Sequence, residues 1–199
     1  MNSESVLAFY DVNAEDYCRT TRNVEMTMIY DRFLLNVPEG ALILDAGCGS
    51  GRDSLAFLTR GYRVKAFDGS PMMARWAEAY TGLDCQVLRF QDVKYKAEFD
   101  ALWSCAALLH ISKSEMKGVL RSLLGSLKLG GVGYFSFIEG EGERVADDGR
   151  FYNSYTVDGL RRLLADVGLT HELDCWSSLR VPDSTKGAPW LNMIVKRVV

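Results

Sequence analysis

Three glycines and one acid form the most informative pattern in this sequence. Residues 41–54 read ALILDAGCGSGRDS, in which Gly47, Gly49 and Gly51 stand at alternate positions after a short apolar run. Glycines in this arrangement permit unusual backbone dihedrals and let a ligand approach the main chain closely. Asp68 follows at roughly 20 residues' distance, where a doubly wound fold places a carboxylate against ribose hydroxyls. Together, the glycine loop and this acid predict a nucleoside-binding site.

The spacing of the glycines distinguishes this loop from the dinucleotide fingerprint G-x-G-x-x-G. The third glycine of that fingerprint would stand at the position of Arg52, whose basic side chain is unsuited to close helix–strand packing. A nicotinamide-dependent oxidoreductase is therefore disfavoured. The structural alternative is a glycine turn that merely closes a strand–helix connection, with Asp68 as a turn acid before a helix capped by Ser70 and Pro71.

Polar side chains that follow other predicted strands are candidates for the same site. Gln91 and Asp92 come after a short strand, where a side-chain oxygen can accept a hydrogen bond from an exocyclic amine. His110 follows a longer apolar strand and is well placed for a general base, which must reach a proton on the substrate. A surface carboxylate and a structural histidine are the plainer interpretations, and both interpretations stay open.

Strand and helix patterns alternate along the chain and position these residues. Residues 41–44 are too few for a core helix and too continuously apolar for a strand with one wet face, which indicates a strand buried on both faces of a parallel sheet. Residues 169–176 and 190–198 are typical of an antiparallel hairpin at the sheet edge. Ser112 and Glu115 predict a capping box. Further strands are predicted at 62–67, 85–90, 99–105 and 132–138, and helices at 51–59, 73–80, 116–127 and 156–168.

These elements predict an α/β fold with a mostly parallel, seven-stranded sheet that ends in the antiparallel hairpin. Residues 1–37 are interpreted as an N-terminal cover segment and helix, and residues 38–199 as the ligand-binding domain. The first part of that segment, 1–23, is polar but contains aromatic residues, so it is either a frayed end or a cover over a cleft. The charged stretch 139–150 is either a surface loop or a substrate lid.

The composition narrows the kinds of partner. The chain has 199 residues with a formal net charge of −3 and a pI near 5.5, so it has no basic surface for a phosphate backbone, and a nucleic-acid partner is disfavoured. Its five cysteines are scattered and never stand in C-x-x-C spacing, which predicts reduced thiols in the cytoplasm and neither a disulfide framework nor a metal site. Because no signal pattern and no apolar run of bilayer length occurs, no membrane association is expected.

Taken together, the motifs resemble those of class I S-adenosylmethionine-dependent methyltransferases over residues 38–199. The residues that carry the resemblance are LDAGCGSGRDS at 44–54, AFDGSPMM at 66–73, FQDV at 90–93, FDALWSCAALLHI at 99–111 and SLKLGGVGYFSF at 126–137. The resemblance implies a Rossmann-like three-layer sandwich and S-adenosylmethionine as cofactor. Within the class, the chain looks most like the bacterial tellurite-resistance-type branch, through YDVNAEDY at 10–17, FIEGEGE at 137–143, GRFYNSY at 149–155 and WLNMIVKR at 190–197.

Carried over position by position, the resemblance assigns the nucleoside end of the cofactor. It implies that Asp68 binds the ribose hydroxyls, that Met73 packs on the adenine and that Asp92 meets the adenine amine. It also implies that Gly47 and Gly49 lie under the methionine part.

The resemblance further implies contacts around the reactive sulfur. Tyr10 and Tyr17 would close over the site, and aromatic faces attract a sulfonium cation. The residues that would border the methionine moiety, largely through backbone groups, are Ser104, Cys105 and Ala106. The other cofactor-binding positions within the motifs are Asp45, Cys48, Gly51, Arg52, Gly69, Ser70, Gln91 and Val93.

The implied reaction is methyl transfer to a small-molecule acceptor by in-line displacement at the sulfonium methyl. The protein must chiefly hold a nucleophile about 3–3.5 Å from the methyl group and exclude water. A general base is needed only for an acceptor that is protonated at neutral pH, and the candidates are His110 and Tyr10. A non-catalytic module that binds S-adenosylmethionine is the alternative. A monomer or homodimer is expected.

Overall fold

Strands and helices alternate along most of the chain. The computed structural model describes residues 2–178 and 188–199. Its helices are α1 (Asn2–Val12), α2 (Ala14–Thr21), α3 (Thr27–Leu34), α4 (Arg52–Thr59), α5 (Pro71–Thr81), α6 (Lys113–Ser126) and α7 (Val157–Val167). Its strands are β1 (Leu42–Ala46), β2 (Arg63–Asp68), β3 (Cys85–Val87), β4 (Phe99–Ser104), β5 (Leu127–Glu139), β6 (Glu143–Val145), β7 (Phe151–Tyr155), β8 (Thr170–Ser178) and β9 (Trp190–Arg197).

The central sheet confirms the predicted α/β class. Strands β3, β2, β1, β4 and β5 lie side by side in that order and run parallel, so their carboxyl ends share one edge. β9 pairs antiparallel with β5, and β8 pairs with β9 as the predicted hairpin. The strand order reverses between β1 and β4, which is where open parallel sheets bind ligands. The loop after β1 therefore opens into this crevice.

Helices cover both faces of the sheet and complete the three-layer sandwich. On one face, Ile43 of β1 packs with residues of α3 and α4 around Trp103. On the opposite face, Leu44 belongs to the cluster that includes the apolar stripes of α6 and α7. Both β1 residues are fully buried, as expected for a strand enclosed on two sides.

Two strands were not predicted, so the described residues form nine strands rather than seven. β6 and β7 form a short antiparallel ribbon, and β6 lies inside the stretch 139–150 that was expected to be a loop or lid. β7 contacts the main sheet through the end of β5, where Ile138 and Glu139 pair with it. All five residues of β7 are buried. Its aromatic side chains bury apolar surface, which the charged residues of 139–150 do not provide.

The ends of the helices follow most of the predicted caps. Thr156 accepts the N–H of Gly159 at the start of α7, and Gly168, with a φ of +74°, ends that helix. The capping box predicted for α6 is wrong in one half. The hydroxyl of Ser112 donates to the carboxylate of Glu115 at 2.6 Å instead of accepting a helix N–H.

The N-terminal segment is helical over the described part of residues 1–23. α1 and α2 pack on α5, where Ala14 and Cys18 are buried against Met73. In residues 2–178 and 188–199, no helix is long and apolar enough to cross a membrane. The sequence predicts no helix in the connection between β8 and β9. Residues 179–187 of this connection lie outside the described residues.

Candidate active site

The glycine loop after β1 is held by backbone hydrogen bonds to β2. The N–H groups of Gly47 and Cys48 donate to the carbonyl oxygen of Phe67 at 2.9 and 3.0 Å. Gly47 has a φ of +77°, and a Cβ at this residue would lie 2.6 Å from the Cβ of Ala107. A side chain here would both strain the backbone and collide with Ala107, which also lines the cavity. The loop therefore presents bare main chain to a ligand.

Asp68 ends β2 and is anchored by backbone groups on either side of it. Its Oδ2 accepts the N–H of Gly49 and its Oδ1 accepts the N–H of Ser70, both at 2.9 Å. Burial raises the pKa of the Asp68 carboxyl, and nearby Asp11 adds to the rise. Gly69 is a third backbone donor to this carboxylate, and one acceptor position remains, because a carboxylate offers about four. The group is thus oriented and still able to accept hydrogen bonds from hydroxyls.

A cavity of about 640 Å³ lies over the glycine loop and along the carboxyl ends of the parallel strands. This volume falls within the roughly 300–1,000 Å³ typical of small-molecule sites. Most of the predicted site residues share this one space. Those that line it are Tyr10, Tyr17, Gly47, Cys48, Gly49, Arg52, Asp68, Gly69, Met73, Gln91, Cys105, Ala106 and His110.

Five other predicted positions lie outside the lining of the cavity. Asp45 is buried and accepts a 2.6 Å hydrogen bond from Ser54, and burial raises its pKa to about 8. The hydroxyl of Ser104 donates to the carbonyl oxygen of Ala46, at the end of β1, at 2.9 Å. Ser70 caps α5 by accepting the N–H of Met73. The remaining two are Gly51, which precedes α4, and Val93, which belongs to the hydrophobic core.

Asp92 lies in the exposed turn after β3. It borders a smaller, open pocket whose wall includes Leu7, Gly69 and Arg89. These three residues also line the main cavity, as does Gln91, the neighbour of Asp92. The two spaces are therefore adjacent, and an adenine contact by Asp92 stays a prediction.

The backbone is strained where β4 meets the cavity. Ala106 has a φ of +53°, a conformation that favours glycine, and its N–H donates to Ser136 Oγ at 2.8 Å. Such strain clusters at functional sites, where surrounding structure imposes it. Next to it, burial raises the pKa of the Cys105 thiol to about 12. The thiol is therefore protonated at neutral pH and serves as a lining group rather than a nucleophile.

Two tyrosines from the N-terminal helices stand over the loop. The Cε1 atom of Tyr17 lies 3.7 Å from the position that a Cβ of Gly49 would occupy. Tyr10 packs edge-on against Tyr17, with ring centroids 5.1 Å apart. Burial raises the pKa of Tyr17 to about 12 and also raises that of Tyr10, so both phenols are neutral. Their rings form an aromatic surface above the main chain of the loop.

His110 has hydrogen-bond partners at both ring nitrogens. Its Nδ1 lies 2.7 Å from the carbonyl oxygen of Phe151, and its Nε2 lies 2.8 Å from the hydroxyl of Tyr10. Because a carbonyl only accepts, Nδ1 carries the proton and Nε2 accepts from Tyr10. Burial lowers the pKa of His110 to about 4, which keeps the ring neutral at neutral pH. A proton-free nitrogen therefore lies behind the Tyr10 hydroxyl.

Two charged residues that the sequence patterns did not single out hold α1 in place. Asp11 accepts a 2.5 Å hydrogen bond from the hydroxyl of Ser70. Arg150, at the turn before β7, stacks on the ring of Phe9 at 4.4 Å and hydrogen-bonds to the Tyr10 hydroxyl. Both lie in segments quoted for the resemblance, at 10–17 and 149–155. No motif spacing connects positions this far apart, so the sequence patterns predict no contact for either residue.

The fold brings together two cysteines that are far apart in the sequence. The Sγ atoms of Cys48, in the glycine loop, and Cys85, in β3, lie 3.3 Å apart, and both thiols are buried and free. Across the residues that the structure describes, no group of three or more histidine, cysteine or acidic side chains could hold a metal ion.

Comparison with known proteins adds the class of protein. Residues 43–131 match the family described as "Methyltransferase domain". An uncharacterized methyltransferase of Staphylococcus carnosus (strain TM300) is 26% identical over 156 residues, which cover 70% of this chain and 75% of that protein.

Two solved structures share the fold. One is 1,6-didemethyltoxoflavin-N1-methyltransferase of Burkholderia thailandensis, with bound 1,6-didemethyltoxoflavin and S-adenosylhomocysteine. It has a TM-score of 0.81 at 22% identity, covering 99% of this chain and 89% of that chain. The other is a SAM-dependent methyltransferase of Methanosarcina mazei, with a TM-score of 0.72 at 19% identity, covering 86% of this chain and 97% of that chain.

The fold, the cavity and the family match together define an S-adenosylmethionine-dependent methyltransferase, with S-adenosylmethionine as its cofactor. The site fits this molecule in two respects. The glycine loop exposes the main chain of Gly47 and Gly49 to the cavity, and Asp68 presents a carboxylate with free acceptor capacity beside it. The nicotinamide alternative is not favoured.

Proposed function

We propose that the protein transfers the methyl group of S-adenosylmethionine to a small-molecule acceptor held in the same cavity. The observation that carries this proposal is the extent of the cavity, which continues from the glycine loop past Cys105 to His110 and Trp176. That space suits a small molecule better than a polymer, and the net charge of −3 supports the same choice. The Burkholderia thailandensis neighbour, whose structure holds 1,6-didemethyltoxoflavin, supports a compact acceptor.

Each end of the cofactor would meet a different part of the site. Asp68 would accept hydrogen bonds from the ribose hydroxyls, Met73 would pack on the adenine, and Gly47 and Gly49 would lie under the methionine part. When bound, the cofactor supplies a methyl group already activated on a sulfonium sulfur. The residues of the chain then have to orient the acceptor, exclude water and manage any proton that it loses.

Tyr10 and His110 are suited to that proton. An acceptor N–H or O–H next to Tyr10 can donate to the phenol oxygen while the phenol proton moves to Nε2 of His110. The neutral ring offers a free lone pair at Nε2, and the carbonyl of Phe151 keeps Nδ1 protonated and the ring oriented. Because burial lowers the pKa of His110 to about 4, the step requires an acceptor whose proton becomes acidic as its bond to the methyl group forms. We therefore infer that Tyr10 and His110 act together as the general base for a protonated acceptor.

We further propose that residues 1–37 form a cover segment that closes over the bound ligands. The contacts of Tyr10, Tyr17 and Asp11 with the cavity and its rim support this role. We also propose a place in the tellurite-resistance-type branch, which rests on the segments at 10–17, 137–143, 149–155 and 190–197, all of them outside the family match at 43–131.

Transfer of a labelled methyl group tests the proposed function. The protein is incubated with methyl-labelled S-adenosylmethionine and a cell extract that has been separated by ultrafiltration into metabolites and macromolecules. We expect label to enter the metabolite fraction, and we expect Asp68→Ala to abolish the transfer. Label found in the macromolecules, or equal label with the variant, would contradict the proposal.

A further inference from the structure

One part of the cavity, the hairpin lobe, is not used by the cofactor contacts proposed above. It lies between α3 and the sheet, on the face where α3 packs with residues of β4, β5 and β9. Its lining includes six residues that are not predicted cofactor positions. They are Met26, Ile29 and Arg32 on the helix side and Ser136, Trp176 and Asn192 on the sheet side.

The strand register places the three sheet-side residues in a row that begins near the glycine loop. Ser136 of β5 pairs with Asn192 of β9, which in turn pairs with Trp176 of β8. At the near end of the row, the Oγ of Ser136 lies 3.7 Å from the Sγ of Cys105. Because Cys105 is expected to border the methionine part of the cofactor, the hairpin lobe begins where the reactive sulfur should lie.

The charged side chains that border the hairpin lobe are paired or in water, among the residues that the structure describes. Nε and Nη2 of Arg32 both donate to the carboxylate of Asp174, the latter at 2.8 Å. Arg52 and Asp53 form an ion pair at 2.6 Å. Glu25 is exposed and accepts a backbone N–H at the start of α3 at 2.7 Å. A charged acceptor in this lobe would therefore be buried without a counter-ion, which is costly.

The neutral polar groups of the hairpin lobe are largely engaged with one another. Asn192 is buried, its Nδ2 donates to the Oγ of Ser178 at 2.9 Å, and its Oδ1 accepts the hydroxyl of Tyr134 at 2.7 Å. Tyr134 is the partner of this Oδ1 among the described residues, and an amide oxygen has two lone pairs. One acceptor position thus remains for an N–H or O–H of a ligand.

The rest of the hairpin lobe presents rings and aliphatic groups. Trp176 is half-buried, and the guanidinium of Arg32 stacks on its ring at 3.9 Å. Its ring centroid lies 6.3 Å from that of Tyr134. Met26 and Ile29 form the opposite wall, from the side of α3. Aromatic rings and thioether sulfurs both favour contact with another aromatic ring.

We propose that the methyl acceptor is an uncharged aromatic molecule whose ring binds in the hairpin lobe against Trp176. The inference rests on the proposed function, because it presupposes that the cofactor occupies the rest of the cavity. It narrows the acceptor to phenols and ring N–H compounds, and it disfavours carboxylates, oxyanions and ammonium groups. Such acceptors also fit a weak base, since the proton of a phenol or ring N–H becomes acidic as the bond to the methyl group forms. The acceptor's lone pair forms that bond, the electrons of the broken S–C bond stay on sulfur, and the proton passes to the proposed base.

Calorimetry on the protein saturated with S-adenosylhomocysteine tests the inference with a set of probes of similar size. 2-Naphthol is neutral and aromatic, decahydro-2-naphthol is neutral and saturated, 2-naphthoate is an anion, and 2-(aminomethyl)naphthalene is a cation. We expect 2-naphthol to bind about 3- to 10-fold more tightly than the saturated alcohol, as aromatic contacts would give. It should bind at least about 30-fold more tightly than either charged probe, which would bury an unpaired charge.

Variants of Trp176 locate the bound ring. Trp176→Leu should weaken 2-naphthol about 10-fold and remove its preference over the saturated alcohol, whereas Trp176→Phe should retain most of both. The affinity for S-adenosylhomocysteine should change by less than about 2-fold in either variant, because the lobe lies outside the proposed cofactor contacts. Leu173→Ala, on the same strand but outside the cavity lining, is the control and should change neither affinity.

The outcomes separate this inference from the proposed function. A wild-type protein that does not bind S-adenosylhomocysteine contradicts the function itself. If it does bind, the inference is overturned by absent binding of 2-naphthol, by equal affinity for the aromatic and saturated alcohols, or by tighter binding of a charged probe. Unchanged affinity for 2-naphthol in Trp176→Leu places the ring elsewhere and also overturns it. Equal losses of 2-naphthol and S-adenosylhomocysteine in that variant show a structural role for Trp176, with the same consequence.

Discussion

The floor and the cover of the cavity are held in place in different ways. The floor consists of the glycine loop, residues 47–51, together with Asp68. It is positioned by main-chain hydrogen bonds to β2 and by the parallel strands beneath it. The proposed cover consists of α1 and α2, within residues 1–37. It is held by contacts between distant residues, including Tyr10 with His110.

This difference indicates which part of the site is preformed and which part moves. A loop tied into the main-chain ladder of a buried sheet keeps its shape before a ligand arrives. Elements held by a small number of side-chain contacts open at a lower free energy than the core. Because Tyr10 and Tyr17 stand over the loop, we expect opening of α1 to accompany cofactor exchange.

The largest loss of ligand affinity should come from adding a side chain to the glycine loop of the floor. In Gly47→Ala, the new Cβ would lie 2.6 Å from Ala107 and the backbone would keep a positive φ. We expect affinity for S-adenosylhomocysteine to fall at least about 100-fold, because crowding and strain together displace the loop. Calorimetry measures the loss. Gly40→Ala is the matched control, since Gly40 also has a positive φ of +66° but no atom within 4 Å of the position that its Cβ would occupy. Equal losses in the two variants would show that crowding against Ala107 has no part in the effect.

A smaller loss of affinity is expected when the acid of the floor is neutralised. Asp68→Asn removes the charge and one of the acceptors for the ribose, and we expect S-adenosylhomocysteine to bind about 10- to 30-fold more weakly. Asp92→Asn should cost about 3- to 10-fold if its predicted adenine contact is made from the exposed turn. Asp166→Asn, on the exposed face of α7, is the control. Affinity unchanged in Asp68→Asn would remove the ribose assignment.

The neutral state of His110 should make stability depend on pH. Its pKa is about 4 in the folded protein, whereas that of an unfolded histidine is about 6.5. Between these values the unfolded state binds more protons, so stability should fall as the pH decreases through this window. Because the ring also borders an accessible cavity, we expect a loss of about 1–2 kcal/mol.

Urea unfolding of the wild type and of His110→Gln across this pH range measures that contribution. The difference between the two proteins isolates His110, because other buried acids such as Asp45 contribute to both. A difference that does not change with pH would show that the ring is not held neutral.

The smallest effect should come from loosening the cover. Asp11→Asn weakens the contact of α1 with Ser70, so we expect S-adenosylhomocysteine to dissociate about 3- to 10-fold faster and the amides of α1 to exchange faster, with little change in overall stability. Stopped-flow displacement and hydrogen exchange measure these rates. Glu15→Gln, at an exposed position in α2, makes the same change of charge and should have no effect. Faster exchange in the sheet as well would show that α1 is part of the core.

The floor could be predicted from the sequence because its determinants are local. The spacing of Gly47, Gly49 and Gly51 requires a tight turn, Asp68 follows at a fixed distance along one strand–helix unit, and the cap by Ser70 follows from its neighbours. The parallel strands were also evident, since residues buried on both faces form continuous apolar runs.

The cover could not be predicted in the same way because its contacts join distant residues. Tyr10 and His110 are 100 positions apart, and Asp11 and Ser70 are 59 apart. No periodicity links such pairs. The charges in 139–150 favoured a loop and concealed the β6–β7 ribbon, whose apolar strand begins just after them. The ion pair of Arg52 with Asp53 was equally hidden, because the Asp53 carboxylate is also held by the hydroxyl of Tyr30 and by Nε1 of Trp103, from other elements.

Calorimetric titration of the wild-type protein with S-adenosylhomocysteine tests the central claim most directly. The preformed floor predicts binding of one ligand per chain with a dissociation constant of about 10 μM or lower, corresponding to about −7 kcal/mol. Absence of any binding heat at millimolar ligand, together with an unchanged melting temperature, would contradict the assignment of the cavity to this cofactor.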